Sequence, residues 1–138
     1  MCVGPGRNAM DEGEFLVSIK LPLKNSSFSA SYERFIPRNE MDIAVAAVAS
    51  SVSLENGKIS SCRIALAAVG PTPIYAEEAS KLLIGKEPSE ENIKNASNKA
   101  KELASPISDM RGTVEHRKDL IEVLTRRTLS KAVERVGV

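Results

Sequence analysis

The chain has 138 residues, of which 42% are hydrophobic, 27% charged and only 4% aromatic. That is enough for one domain with a core of Ile, Val, Leu and Ala, but not for a full two-domain cofactor enzyme. Nineteen basic and 18 acidic side chains leave a formal charge of +1, so no global field would hold a polyanion, and nucleic acid is excluded as the main partner. Cys2 and Cys62 are too few for a disulfide scaffold, and neither a signal-type apolar run nor one of transmembrane length occurs. A cytoplasmic protein with no membrane association is expected.

Residues 1–14 are rich in Gly, Pro and charge and read as a lead-in. Phe15, Val17, Ile19 and Leu21 alternate as in a short strand, which Pro22 would stop. Residues 24–27 read as a loop, and residues 28–35 as extended chain. Residues 43–54 and 59–69 are two apolar runs separated by a segment containing Asn56-Gly57. Both of those residues tolerate the positive φ of a type I′ turn, so a long antiparallel hairpin is predicted.

Thr72 and Pro73 read as the cap and first turn of a short helix over 74–83, with Gly85 ending it in a left-handed conformation. Ser89 caps a second helix with an apolar stripe of Ile93, Ala96, Ala100 and Leu103. Thr113 caps a third, in which Leu120, Ile121, Leu124, Leu129, Ala132, Val133 and Val136 share one broad side. Strands followed by helices define an α+β domain: an antiparallel sheet of three or four strands with a long hairpin, covered by about three C-terminal helices.

Chemistry is most concentrated between Tyr32 and Ala44, where Arg34, Arg38 and Asp42 precede an apolar strand. Two arginines are directional donors suited to an anionic or electron-rich partner, and Asp42 could orient one of them; a salt-bridged strand edge is the structural alternative. No glycine-rich loop lies between a strand and a helix to cradle phosphate, since Gly70 is followed by Pro71, which has no amide. His116 is the single histidine and has no clustered ligands, which favours a structural role. Cys62 reads as a buried small side chain. Asp109 and Arg111 are spaced to pair with each other.

Several motifs together resemble one family. Tyr32-x-Arg34, Pro37-Arg38, Asp42-Ile43-Ala44, Gly57-x-Ile59, Arg63-Ile64-Ala65-Leu66 and Gly70-x-Thr72-Pro73 carry the first part of the pattern, followed by Ala76, Ala79, Leu83 and Gly85. Pro106-Ile107-x-Asp109-x-Arg111, Arg117, Leu120 and Leu124 close it. The order and spacing resemble the C-terminal domain of the FAD-binding, or medium, subunit of molybdenum hydroxylases, a family that includes xanthine and aerobic carbon monoxide dehydrogenases. Tyr75 and His116 depart from the common arginine and tyrosine of that pattern.

The resemblance implies a domain over 15–138, with 1–14 a remnant of the junction to an absent PCMH-type FAD domain. It implies FAD as a cofactor held mostly by that domain. The expected partners are the PCMH-type domain, a 2Fe-2S small subunit and a molybdopterin large subunit, and homodimerisation of the isolated chain is left open. Tyr32, Arg34, Arg38 and Asp42 are implied as cofactor-facing residues that cover the isoalloxazine side during electron transfer from 2Fe-2S clusters. The chain is expected to be an oxidoreductase component, inactive alone. The alternative is a non-catalytic assembly module of the same kind of complex, with no flavin contact.

Overall fold

The computed structural model describes residues 1–21, 27–38 and 41–136. Two short strands, β1 (Cys2–Gly4) and β2 (Arg7–Asn8), pair as a small hairpin of their own. The main sheet is antiparallel, its strands adjacent in chain order: β3 (Phe28–Phe35), β4 (Ala46–Glu55), β5 (Lys58–Ala67) and β6 (Ile74–Tyr75). Asn56 and Gly57 join β4 to β5 with φ of 52° and 75°, the paired left-handed conformations that the Asn-Gly sequence favours. Three helices follow: α1 (Glu77–Lys81), α2 (Glu90–Leu103) and α3 (Val114–Glu134).

Period-2 alternation decides which sheet face is covered. Val48, Ser50 and Val52 of β4 and Ile59, Cys62, Ile64 and Leu66 of β5 are buried. α3 lies across β3 and β4, α2 packs on α3, and α1 sits over β5 and α2. Ile121, Leu124, Leu129 and Ala132 of α3 and Ile93, Ala96 and Ala100 of α2 complete the core, matching the stripes expected from helical spacing. One polar pair lies inside it: the Thr128 hydroxyl bonds back to the Leu124 carbonyl at 2.9 Å, and Ser50 Oγ meets Thr128 Oγ1 at 2.7 Å. That contact ties the middle of α3 to the middle of β4. At the outer strand β3, Lys131 pairs with Glu33, and an Arg135 guanidinium nitrogen donates to the Ala30 carbonyl at 3.1 Å.

Three sequence expectations change. Residues 15–21 are described but belong to no strand, and Phe15, Val17, Ile19 and Leu21 are all exposed. No described strand lies alongside them, so their alternation has no ladder to join; the loop expected at 24–27 lies mostly outside the described residues. Ile74 and Tyr75 pair with Leu66 and Ala65 instead of opening a helix. The Ala76 amide continues the ladder by donating to Ile64 O at 2.9 Å, which moves the N-cap of the five-residue α1 from Thr72 to Ala76. β4 begins at Ala46, three residues later than the apolar run. The other two caps stand as expected, with Ser89 Oγ accepting from Asn92 N and Thr113 Oγ1 from His116 N.

Leu129 is fully buried beneath the sheet. Leu129→Ala is expected to cost about 2–5 kcal/mol, measured as a lower urea midpoint with an unchanged slope.

Candidate functional site

The sheet face opposite the helices is open over Ala49 and Ala65, whereas Ala47 on the same side is buried. Its register sets Tyr32, Ala49, Ala65 and Tyr75 in one row across β3 to β6, with Arg34, Ala47 and Ala67 in a second and Ala30, Ser51 and Arg63 in a third. Most of these side chains are small, so the floor is low, and it is flanked by Tyr32 and Tyr75, which are 61% and 53% exposed. A shallow hollow of about 390 Å³ lies over Ala30, Tyr32, Ala49, Ser51, Arg63 and Ala65. Arg34 is exposed on this face, and no ion pair among the described residues includes it.

Arg38 and Asp42 lie past the end of β3 and are joined to each other. The Arg38 backbone amide donates to Asp42 Oδ2 at 3.1 Å, its Nε approaches the same oxygen at 3.4 Å, and the Ile43 amide donates to Oδ1 at 2.8 Å. The Asp42 side chain is 8% accessible and that of Arg38 73%. The carboxylate is therefore the inner support and the guanidinium the outward group. Desolvation opposes ionisation of Asp42, but the bonds from the Arg38 side chain and from the Ile43 and Arg38 amides outweigh it and hold its carboxyl below the usual range. Of the four sequence-derived site residues, the structure puts Tyr32 and Arg34 on the open face and locks Arg38 and Asp42 into a clasp beyond its end.

The expected pair between Asp109 and Arg111 does not form. Asp109 Oδ1 accepts from the Arg111 backbone amide at 2.8 Å, while its side-chain partner is Arg117, at 2.6 Å. The turn carrying Asp109 folds against the start of α3, which presents Arg117 to the carboxylate and leaves the Arg111 side chain in solvent. Arg117 is 5% exposed, and its guanidinium also reaches the Val45 carbonyl at 2.8 Å and that of Ala68 at 3.4 Å. Sequence reasoning gave it no structural role, because its partners lie 8, 49 and 72 residues away. These groups border a cleft of about 380 Å³ shared with Ile43, Ala44, Pro71 and Pro106. The imidazole of His116 meets the Phe35 ring edge-on, centroids 6.0 Å apart, and no cluster of metal-ligating side chains occurs among the described residues. Cys62 is buried, and that burial pushes its thiol up to about 12.

Fold and site together define an α+β sheet-and-helix module whose candidate site residues lie on an open sheet face and a loop rim. The CO dehydrogenase flavoprotein C-terminal domain family matches residues 31–132, and the chain belongs to it. It is 33% identical over 127 residues to the carbon monoxide dehydrogenase medium chain of Afipia carboxidovorans, covering 92% of this chain and 44% of that one. It is 27% identical over 135 residues to the xanthine dehydrogenase FAD-binding subunit of Escherichia coli O157:H7, covering 97% and 46%. A carbon monoxide dehydrogenase structure from Hydrogenophaga pseudoflava superposes with a TM-score of 0.92 at 28% identity, covering 97% of this chain and 46% of that one. Quinoline 2-oxidoreductase from Pseudomonas putida 86 gives 0.90 at 27%, covering 99% and 47%. The chain thus spans less than half the length of the relatives it matches. No helix among the described residues is long and apolar enough to cross a membrane.

Two outcomes follow from these ionisations. The bond from the Arg111 amide, then that from the Arg117 side chain, holds the Asp109 carboxyl below the usual carboxylate range. A carboxyl depressed in the folded state stabilises above its unfolded value and loses that contribution as pH falls through the folded one. Asp109→Asn should therefore flatten the acid limb of a stability-versus-pH curve below about pH 4. In native protein at pH 8, a thiol alkylating agent should modify Cys2 and spare Cys62, as read by peptide mass spectrometry.

Proposed function

We propose that the chain is the C-terminal part of the FAD-binding subunit of a molybdenum-iron-sulfur-flavin oxidoreductase, where it covers the isoalloxazine side of FAD and contributes to assembly. Family membership supports the general role. The observation that carries the flavin contact is Arg34, an exposed cation without an ion pair among the described residues, beside Tyr32 on a sheet face that no helix covers.

The residues fit the ring end of FAD. Arg34 supplies N–H donors where negative charge develops on reduction, and Arg38, oriented by the inner carboxylate of Asp42, supplies a second directional donor. Tyr32 offers a flat ring and a hydroxyl. They do not fit the pyrophosphate: Gly4 and Gly6 belong to the β1–β2 hairpin, and Gly70 precedes a proline. That grip falls to a PCMH-type FAD domain, in the same polypeptide or another. FAD bound there supplies the exchange between one-electron and two-electron transfer, linking 2Fe-2S clusters to an external acceptor. Substrate hydroxylation belongs to a molybdopterin large subunit, and the clusters to a 2Fe-2S small subunit.

A second reading, in which the module serves assembly without touching flavin, is favoured by the exposed apolar side chains of Phe15, Val17, Ile19 and Leu21. The two readings separate in one experiment. The chain alone should take up little FAD, whereas with a PCMH-type domain it should co-purify with an oxidised-flavin absorption band. Arg34→Ala in that assembly should lower flavin occupancy by about tenfold in affinity or make the flavin harder to reduce. An assembly whose flavin content and reduction are both indifferent to Arg34→Ala would leave only the assembly role.

A further inference from the structure

Arg117 is the one fully charged side chain among the buried described residues. A guanidinium removed from water is costly unless its donors are met; here three separate segments meet the two terminal nitrogens, while the buried Nε has no partner among the described residues. One nitrogen reaches the carbonyl of Val45, which leads into β4, and that of Ala68, just past β5; the other reaches Asp109, in the turn before α3. The three partners come from three different connections, gathered at one end of the sheet. The Arg117 amide is also spent in the helix, donating to Thr113 O at 3.1 Å. The side chain therefore projects from the first turns of a 21-residue helix that the core already fixes.

Val45 closes the neck of the segment that carries Arg38 and Asp42. Its amide donates to the Phe35 carbonyl at 2.9 Å, while its own carbonyl is held by Arg117. Ala68 has a φ of +62°, a left-handed conformation that disfavours a residue with a Cβ and persists where its surroundings impose it. Its carbonyl is again an Arg117 partner. At Gly112, beside this point, a Cβ would lie 3.0 Å from the His116 ring, which would have to shift, and at ordinary contact distance, 3.7 Å, from Val45 Cγ1.

We propose that Arg117 is a positioning residue for the flavin-facing segment: by holding Val45 and Ala68 against α3, it fixes the seat of the Arg38–Asp42 clasp relative to the rigid sheet. The proposal rests on the flavin reading above and extends it to a residue that touches no cofactor. Lysine keeps the charge but carries its donors on a single nitrogen, which cannot span the acceptors that two guanidinium nitrogens divide here, so Arg117→Lys isolates the geometric role from the electrostatic one.

The test has two arms. In the chain alone, Arg117→Lys should speed hydrogen exchange at the Val45 amide by about tenfold while the α3 core around Leu124 and Leu129 stays protected. Asp109→Asn, which keeps the guanidinium and weakens one contact, should give a smaller increase at the same amide and serves if the lysine variant does not fold. In the flavin-loaded assembly with a PCMH-type domain, whichever variant folds should shift the flavin midpoint potential without reducing flavin content. Unchanged exchange at Val45, or an unchanged potential in a fully loaded variant, overturns the proposal. A wild-type assembly that takes up no flavin overturns the flavin reading itself, and with it any positioning role.

Discussion

The arrangement depends on a single asymmetry: α3 has one apolar stripe, and the sheet has one face apolar enough to receive it. Val48 and Val52 of β4, with Ile64 and Leu66 of β5, turn toward the helices. Ala49, Ala65 and Arg63 turn away because alternate strand residues must. Once that packing is made, no described helix covers the opposite face, which stays open around Tyr32, Ala49, Ala65 and Tyr75. An antiparallel sheet tolerates one solvated face; here its middle rows carry alanines, serines, two tyrosines and arginines, and the exposed carboxylate of Glu55 on the same side stands at the β4–β5 turn opposite Lys58.

The second organising contact is the buried guanidinium of Arg117. The sheet places the connections after β3 and β5 at the same end, where the turn before α3 also arrives, and one planar donor group satisfies acceptors on all three. A carboxylate from Asp109 supplies the countercharge that makes burial tolerable. The separation of roles is physical: the apolar core decides that the domain folds, and this polar junction decides how its loops stand. Arg38 and Asp42 form a smaller clasp with the burial reversed, an inner carboxylate holding an outer cation.

The fold was largely legible in the sequence where short-range chemistry is decisive. Asn56-Gly57 identifies the hairpin because both residues accept positive φ, and Ser89 and Thr113 identify helix starts because their oxygens meet orphan amides. Thr72 was misleading for an instructive reason: the amides that a cap would satisfy were taken up by the short pairing of Ile74 and Tyr75 with β5. The alternation at Phe15–Val17–Ile19–Leu21 is a true strand pattern without a described neighbour, and periodicity cannot reveal whether a ladder exists. The site was legible in part. Tyr32, Arg34, Arg38 and Asp42 are local in sequence and could be singled out, and the mutual support of Arg38 and Asp42 follows from their spacing. Arg117 stood in the family pattern, but its role could not be read, because it lies in carbonyls brought to it only by the complete sheet.

The fastening of α3 to the outer strand limits how this domain can be approached. Lys131 and Arg135 reach over β3, one occupying Glu33 and the other the Ala30 carbonyl. A foreign chain seeking to lengthen the sheet along that border would have to evict a guanidinium first. Self-templated stacking along that border is thereby discouraged, and the broad flank of the sheet is left as the side open to approach.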